Sequence, residues 1–356
     1  MDGGKTPGNP KKIAKILTIV VLSLLGVFIA AVVGISMYWN SILNRMRDAA
    51  QQYSEPETQT QTTATQPQAT SAMAQAEDTW PVVSSEESIT NILLIGLNQN
   101  LADSMILCSI NRDSSQLSLV SFLRDLYVTI PAYGSHGPDK NRINAGYYWG
   151  RKWSGSDRGG MELLAACIRE NFGIPVEHCI AVDFEVFSRV VDTLGGVEID
   201  LTEEEAKYLT KSVGYVGSFQ PGKQTLTGTE ALAYSRIRKI DSDIQRTQRQ
   251  RTVLSALLEK CRCMTLMQLH DMALTVVPMI STNMSNTRLT GYLLELLPVI
   301  KELELRSIVC PVDNGTLPGS CWDKQVKIGG TPCQVIACNV PLNRDYLMEY
   351  LGYTDS

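Results

Sequence analysis

Polarity divides the chain into three stretches. From Ile16 to Trp39, 24 residues pass without a charged side chain, enough for a helix to cross a bilayer. Between 50 and 88, Gln, Thr, Ala, Ser and Glu dominate and aliphatic residues are sparse. Such a segment has too little apolar surface to offset the entropy of ordering it. From residue 89 onward, short apolar runs alternate with turn residues, as in a folded domain.

Within that domain the pattern predicts particular elements. Asn91-Ile92-Leu93-Leu94-Ile95-Gly96 reads as a buried strand ending at a glycine. Met105–Ile110 and Leu117–Phe122 read as two more, joined into a hairpin by Asn111-Arg112-Asp113-Ser114-Ser115. Leu126–Ile130 continues as strand up to Pro131, and 132–160, rich in Gly, Ser, Tyr, Trp and Arg, predicts a long functional loop. Trp149 and Trp153 are read there as pins of the loop. Gly160–Asn171 reads as a helix closed by Gly173, Ile180–Val182 as a strand, and Phe184–Leu194 as a helix ended by Gly195-Gly196. Val197–Leu201 is a further strand. Thr227-x-x-Glu230 is a capping box that starts a short helix. Helices follow near 243–262, 265–279 and 286–302, then two strands from Leu305 and a last helix at Asn343–Leu351. Strands and helices mixed without strict alternation imply a layered α/β fold around a mixed sheet.

Charge then adds orientation. Lys5, Lys11, Lys12 and Lys15 precede the apolar run, which places the N-terminus in the cytoplasm, although Arg45 and Arg47 beyond it weaken the bias. The run is too long for a cleaved signal peptide, and no small-x-small cleavage site follows it. The expected organisation is a cytoplasmic N-terminus (1–15), a transmembrane helix (16–39), a flexible linker (40–88) and an extracytoplasmic domain (89–356) with a C-terminal extension from about 305. Nine cysteines are present. Cys310, Cys321, Cys333 and Cys338 lie where disulfides are permitted, with the pairing open. Cys108, Cys167 and Cys179 sit in apolar contexts as buried small hydrophobes. Cys261-x-Cys263 is too close for an ordinary zinc knuckle, and the histidines complete no zinc constellation.

Candidate chemistry is concentrated in one segment. Residues 236–251 carry six basic side chains against two acids in a chain of formal net charge -5. Guanidinium forks match phosphate oxygens in pairs, so the cluster suggests a multiply charged phosphate such as a pyrophosphate. Arg236 and Arg238, two apart, point the same way on an extended segment. Asp243, Arg246, Arg249 and Gln250 fall at helical offsets of three, six and seven and are assigned one helix face. Nucleic acid is excluded as a partner: the basic cluster lies outside the membrane and has no interleaved aromatics for base stacking.

These residues resemble the LytR-CpsA-Psr family of bacterial cell-wall assembly proteins. The resemblance runs from about Asn91 to Leu351. It is carried by Asn91–Gly96, Ala102-Asp103-Ser104, Ser121–Val128, Arg142-Ile143-Asn144-Ala145, Val191–Val197, Leu226-x-Gly228-x-Glu230-Ala231-Leu232-Ala233-Tyr234 and the arginine segment through Gln250. It implies a three-layer α/β/α domain with a central mixed β-sheet, and a hydrophobic channel for a polyprenyl tail. It further implies a phosphotransferase of a Gram-positive type cell membrane, assisted by magnesium. The enzyme would move an anionic glycopolymer, of teichoic acid or capsule type, from an undecaprenyl pyrophosphate carrier to peptidoglycan. By resemblance Arg124, Arg236, Arg238, Arg246 and Arg249 hold the pyrophosphate with Gln250, and Arg142 and Asn144 stand at the substrate. Asp243 orients an arginine or takes the acceptor's proton, and Asp103 and Asn98 face the metal. Asn98 stands where the family usually has Asp, and Leu101-Ala102 stand where it often has Arg, so the metal side departs from the pattern. One other reading follows from those departures, a module that binds polyprenyl pyrophosphate without turnover; a further one is a structural adaptor that recruits wall-synthesis machinery through its loop and C-terminal strands.

Overall fold

The computed structural model describes residues 88–212, 219–238, 240, 243–285, 288–289, 292 and 302–353. The expected N-terminus, transmembrane span and linker up to residue 87 lie outside the described residues, as does most of the helix expected over 286–302. Among the described residues no helix is long and apolar enough to cross a membrane.

The centre is a six-stranded mixed sheet. Its members are β1 (Ile89–Asn98), β2 (Leu101–Asn111), β3 (Gln116–Phe122), β6 (His178–Asp183), β9 (Ser281–Thr282) and β10 (Glu304–Cys310), in the order β10-β3-β2-β1-β6-β9. The β2–β3 hairpin forms as expected, with β1 antiparallel to β2 and parallel to β6. Three two-stranded ribbons flank the sheet. They pair β4 (Tyr127–Ile130) with β5 (Asp139–Arg142), β7 (Val197–Leu201) with β8 (Gly222–Leu226), and β11 (Cys321–Ile328) with β12 (Thr331–Cys338). The C-terminal part thus holds three strands, one more than its pattern predicted.

Alternation along β1 decides what lies on each side of the sheet. Leu93, Ile95 and Leu97 share one face with Met105, Leu107, Val120 and Phe122, all buried in the main core. Helices α1 (Asn144–Ser154), α2 (Asp157–Phe172) and α8 (Val340–Leu351) cover this face; Tyr147, Leu164, Ile168 and Leu347 seal it. Fully burying each such aliphatic side chain contributes roughly 1.5–3 kcal/mol. The opposite face, with Leu94, Gly96 and Ile106, looks toward α3 (Phe184–Thr193) and α6 (Asp243–Arg262). Helices therefore lie on both sides of a mixed sheet.

The expected loop over 132–160 is instead β5, α1 and the start of α2. Its glycines and aromatics belong to a tight helix crossing: a side chain at Gly150 would meet the Gly159 carbonyl at 2.2 Å. Trp149 and Trp153 stack on one another at 5.5 Å, and Trp153 also stacks on His136 at 4.2 Å and Tyr133 at 6.0 Å. Ring faces used in this way pin the segment, as the sequence reading held.

A second core joins α4 (Glu203–Ser212), α5 (Gly228–Ser235) and α6 to the β7–β8 ribbon through Val191, Ile199, Leu209, Leu226, Tyr234, Ile237 and Val253. Neither α4 nor β8 was anticipated. Gly228 starts α5 against α3, where a Cβ would lie 2.0 Å from the Ser188 carbonyl, and its N–H donates to Asp192 Oδ1 at 2.7 Å. The Glu230 carboxylate accepts from the Thr227 N–H at 2.8 Å, as the capping box predicts. Helix α7 (Leu266–Val276) runs into a 3-10 turn (Val277–Met279) that completes the span expected to 279.

All nine cysteines are free thiols. Cys167 and Cys179 are buried as expected, whereas Cys108 is partly exposed.

Candidate functional site

Between the sheet and helices α3 and α6 lies a cavity of about 580 Å³. Its lining changes character along α6. Arg246 and Gln250 stand at one end and Val253, Leu254 and Leu257 follow. At 1.5 Å per residue, Arg246 and Leu257 are about 16 Å apart along the axis. Leu94, Ile106 and Ile180 from the sheet and Phe187, Val190 and Leu232 from the helices continue the apolar part. One compartment is thus cationic at one end and oily over the rest of its length.

The rear wall of the polar end is built where α5 gives way to α6. Arg236 is the C-cap of α5, and Arg238 follows one residue past the buried Ile237. Both arginines are exposed and both line the cavity. The Arg236 guanidinium lies over the Phe184 ring at 4.4 Å, which fixes its plane. Among the described residues neither Arg236 nor Arg238 has an ion-pair partner. Arg246 lines the cavity from α6 while being only 2% exposed.

The front wall comes from the β1–β2 turn and the end of β3. Pairing runs Gly96↔Ser104 and then Leu97↔Ala102, so Asp103 is the extra residue of a β-bulge. A bulge lets consecutive side chains share a face, and Asp103 and Ser104 both reach the cavity. Ser104 Oγ donates to Gln250 Oε1 at 3.0 Å, tying the front wall to α6. Arg124 donates to Asp103 Oδ1 at 3.1 Å and to Asp125 Oδ2 at 3.1 Å. Burial alone would lower the Arg124 pKa; the hydrogen bonds and negative charge of Asp125 and Asp103 outweigh it and hold the guanidinium above its ordinary value. The group stays a cation at every pH of interest.

Asn98 Nδ2 donates to Asp103 Oδ2 at 3.1 Å. Two neighbouring ligands of an octahedral magnesium stand about 2.9 Å apart, given metal–oxygen distances of roughly 2.0–2.1 Å. Turning the Asn98 amide over, which exchanges its nitrogen for its oxygen, would offer two oxygens at that spacing. The pair therefore fits one edge of a magnesium site, with a single negative charge. Among the described residues no group of three His, Cys, Asp or Glu is placed to hold a metal, so water and the oxygens of a bound ligand would supply the rest.

The structure gathers Asn98, Asp103, Arg124, Arg236, Arg238, Arg246 and Gln250 around one space. It does not bring Arg249 there. An offset of six residues turns Arg249 about 120° away from Asp243 around the helix, so the single face assigned to the four residues fails at this position. Arg249 instead donates from Nε to Glu205 Oε1 at 2.7 Å and from Nη1 to the Ile237 carbonyl at 3.2 Å. Arg142 also stands outside the cavity lining, ion-paired to Asp125 at 3.3 Å and donating to the Gln334 carbonyl at 3.1 Å. Asn144 is the first residue of α1 and does not line the cavity either. Asp243 begins α6; its side chain lies outside what is described. The sequence reading gave Phe184 and Glu205 no role at the site, whereas the Arg124-Asp125 ion pair it weighed is present at 3.1 Å. Glu205 carried a usable signal, because Thr202-x-x-Glu205 is a capping box of the kind recognised at Thr227.

Comparison with known proteins follows the same outline. The LytR_cpsA_psr family matches residues 44–322. TagT of Bacillus subtilis (strain 168), a polyisoprenyl-teichoic acid–peptidoglycan teichoic acid transferase, is 32% identical over 192 residues, 51% of this chain and 55% of that protein. The chain therefore spans about half the length of the transferases it matches by sequence. The regulatory protein MsrR of Staphylococcus aureus (strain COL) is 26% identical over 272 residues, 73% of this chain and 74% of that protein. The crystal structure of B. subtilis TagT superposes with a TM-score of 0.58 at 25% identity, covering 78% of this chain and 98% of that one. The family protein YwtF (TagT) with bound octaprenyl pyrophosphate lipid gives 0.54 at 25% identity over 75% of this chain and 91% of that one. With a family match across most of its length, a cavity graded from arginine to hydrocarbon and this fold, the chain belongs to the LytR_cpsA_psr family.

Proposed function

We propose that the chain is a membrane-anchored phosphotransferase that moves an anionic glycopolymer, of teichoic acid or capsular type, from an undecaprenyl pyrophosphate carrier to a hydroxyl of peptidoglycan. The observation that carries this reading is the cavity itself: guanidinium groups from two walls at one end, continuous with an apolar channel. A polyprenyl pyrophosphate has that same division. The relatives named as teichoic acid transferases and the relative holding octaprenyl pyrophosphate support it. The anchor is assigned to the apolar run at 16–39, with the catalytic domain outside the cell.

In this mechanism the chain contributes position and charge. The acceptor hydroxyl attacks the phosphorus that bears the glycopolymer, the bond from that phosphorus to the bridging oxygen breaks, and polyprenyl phosphate departs. Negative charge grows on the bridging oxygen and is met by Arg236, Arg238 and Arg246, while Arg124 faces the transferred group from the front wall. Asp243 is assigned the proton released by the acceptor. Magnesium, held by Asp103 and Asn98, would supply further neutralisation of phosphate charge when bound. The apolar channel holds the lipid so that the pyrophosphate cannot slide out of line.

A second reading has its own observation. Both oxygens of Asp103 already accept hydrogen bonds, from Arg124 and Asn98, and a cradle neutralised in this way suits binding without turnover. The test is transfer by the full chain in detergent, with a lipid-linked glycopolymer as donor and peptidoglycan as acceptor. Covalent attachment of the polymer to peptidoglycan is expected. Carrier lipid that co-purifies without any transfer would leave the binding module instead.

A further inference from the structure

We infer that Glu205 and Arg249 form a positioning pair that aims Arg236 and Arg238 into the cavity. The two side chains are an ion pair at 2.7 Å, and the residues are only 6% and 5% exposed. Burying two charges costs their hydration, and such a pair typically stabilises a fold no better than well-packed apolar residues of the same volume. Stability alone therefore gives little reason for this pair, and its other bonds define its task. Arg249 Nη1 donates to the carbonyl of Ile237, 12 positions earlier in the chain, at 3.2 Å. Ile237 is fully buried, and its neighbours on each side are the two exposed arginines of the rear wall.

The other end of the pair is equally fixed. Glu205 Oε2 accepts from the Thr202 N–H at 3.0 Å, and the Glu205 N–H donates to Thr202 Oγ1 at 3.2 Å, closing the first turn of α4. A connected path thus runs from the N-terminus of α4 through Glu205 and Arg249 to the backbone between Arg236 and Arg238. The Ile237 carbonyl belongs to the peptide that joins Ile237 to Arg238, so pinning it fixes the backbone that bears Arg238 directly and, through the buried Ile237, the backbone of Arg236 one residue earlier. Arg249 acts on the ligand through Ile237 and does not touch it. Only the ligand arm of the test rests on the pyrophosphate reading of the cavity.

The test is the paired substitution Glu205→Leu with Arg249→Met in the full chain, which removes both charges together and avoids leaving one buried without its partner. The variant is expected to fold, and circular dichroism and the melting transition check that. Its affinity for geranylgeranyl diphosphate is expected to fall about tenfold, as for loss of a hydrogen bond from a charged donor. Affinity for geranylgeraniol, the uncharged alcohol of the same chain, should stay within about twofold, because the apolar channel is untouched. Equal loss of both ligands, or retention of both, would overturn the pair's positioning role. A second arm needs no ligand: trypsin should cut after Arg236 or Arg238 several-fold faster in the variant once the Ile237 carbonyl is released. Unchanged cleavage in a folded variant would also overturn the inference. Failure of the unaltered chain to bind the diphosphate counts against the proposed function, and the protease arm still decides the pair. Should the double variant not fold, Arg249→Lys, which keeps the charge and loses the fork, takes its place with the same readouts.

Discussion

The two walls of the cationic end are built from the same residue type and differ in what that residue has available. In the front wall, Arg124 already faces two carboxylates, Asp103 and Asp125, each at 3.1 Å. In the rear wall, Arg236 and Arg238 are exposed, form no ion pair among the described residues, and are held by an aromatic ring and a pinned backbone. A guanidinium that is neutralised locally contributes geometry more than attraction, whereas one without a counter-ion contributes attraction. In the proposed reaction, this difference would give net anion affinity to the rear wall and alignment of the reacting phosphorus to the front.

Changes in the rear wall should have the larger effect. Arg236→Gln together with Arg238→Gln keeps two polar side chains and removes both cations that form no ion pair among the described residues; polyprenyl pyrophosphate affinity, measured by titration in detergent, is expected to fall about 100-fold, roughly tenfold for each charged hydrogen bond lost. Arg124→Gln should lower the same affinity only about tenfold and depress transfer more than binding, and the two numbers together come from one assay series. If Arg124→Gln proves the more damaging to binding, the contrast between the walls is wrong.

The front wall can also be sharpened by adding charge. Asn98→Asp replaces a hydrogen bond to Asp103 with two carboxylates about 3 Å apart, which repel without a cation and chelate with one. Without magnesium the melting temperature of this variant should drop by about 2–4 °C, and millimolar magnesium should restore it; calorimetric titration should show roughly tenfold tighter magnesium binding than in the unaltered chain. No gain in magnesium affinity would remove Asp103 and Asn98 from the metal assignment.

The smallest effect on the cradle is expected from a residue remote from both walls. His178 Nε2 lies 2.9 Å from the Tyr292 hydroxyl, and burial, helped by the positive charge of Arg288, lowers its pKa to about 4. The unfolded chain holds a proton on this group up to about pH 6.5, whereas the folded one sheds it above about pH 4, so stability rises with pH across that window and is lost as pH falls through it. Melting curves from pH 7.5 to 4.5 should show a decline that His178→Phe flattens, while ligand affinity at pH 7.5 stays unchanged.

How far the sequence displayed this arrangement depends on the range of each interaction. The strands β1, β2 and β3, and the long helix α6, were legible because local periodicity and turn residues specify them. The segment 132–160 was misread because its glycines serve a helix crossing and its tryptophans stack on each other, and both facts belong to tertiary packing. Asp103 reaches the cavity through a bulge that no alternation of polar and apolar positions announces; family resemblance alone pointed to it. Helical offset from Asp243 and the family resemblance both assign Arg249 to the site. Its turn about the helix axis, and the waiting Glu205 on another helix, took it to a different task.

The β12 strand sits beyond the family match, which ends at residue 322, yet it buttresses the front wall. Its Ile336 N–H donates to the Asp125 carbonyl at 3.0 Å, and its Gln334 carbonyl receives Arg142. The end of the family match at residue 322 is therefore a statistical line, and the mechanical border lies further along, within the reach of the resemblance to about Leu351. A shortened protein cut at the former would keep every recognised motif and lose the prop behind Arg124.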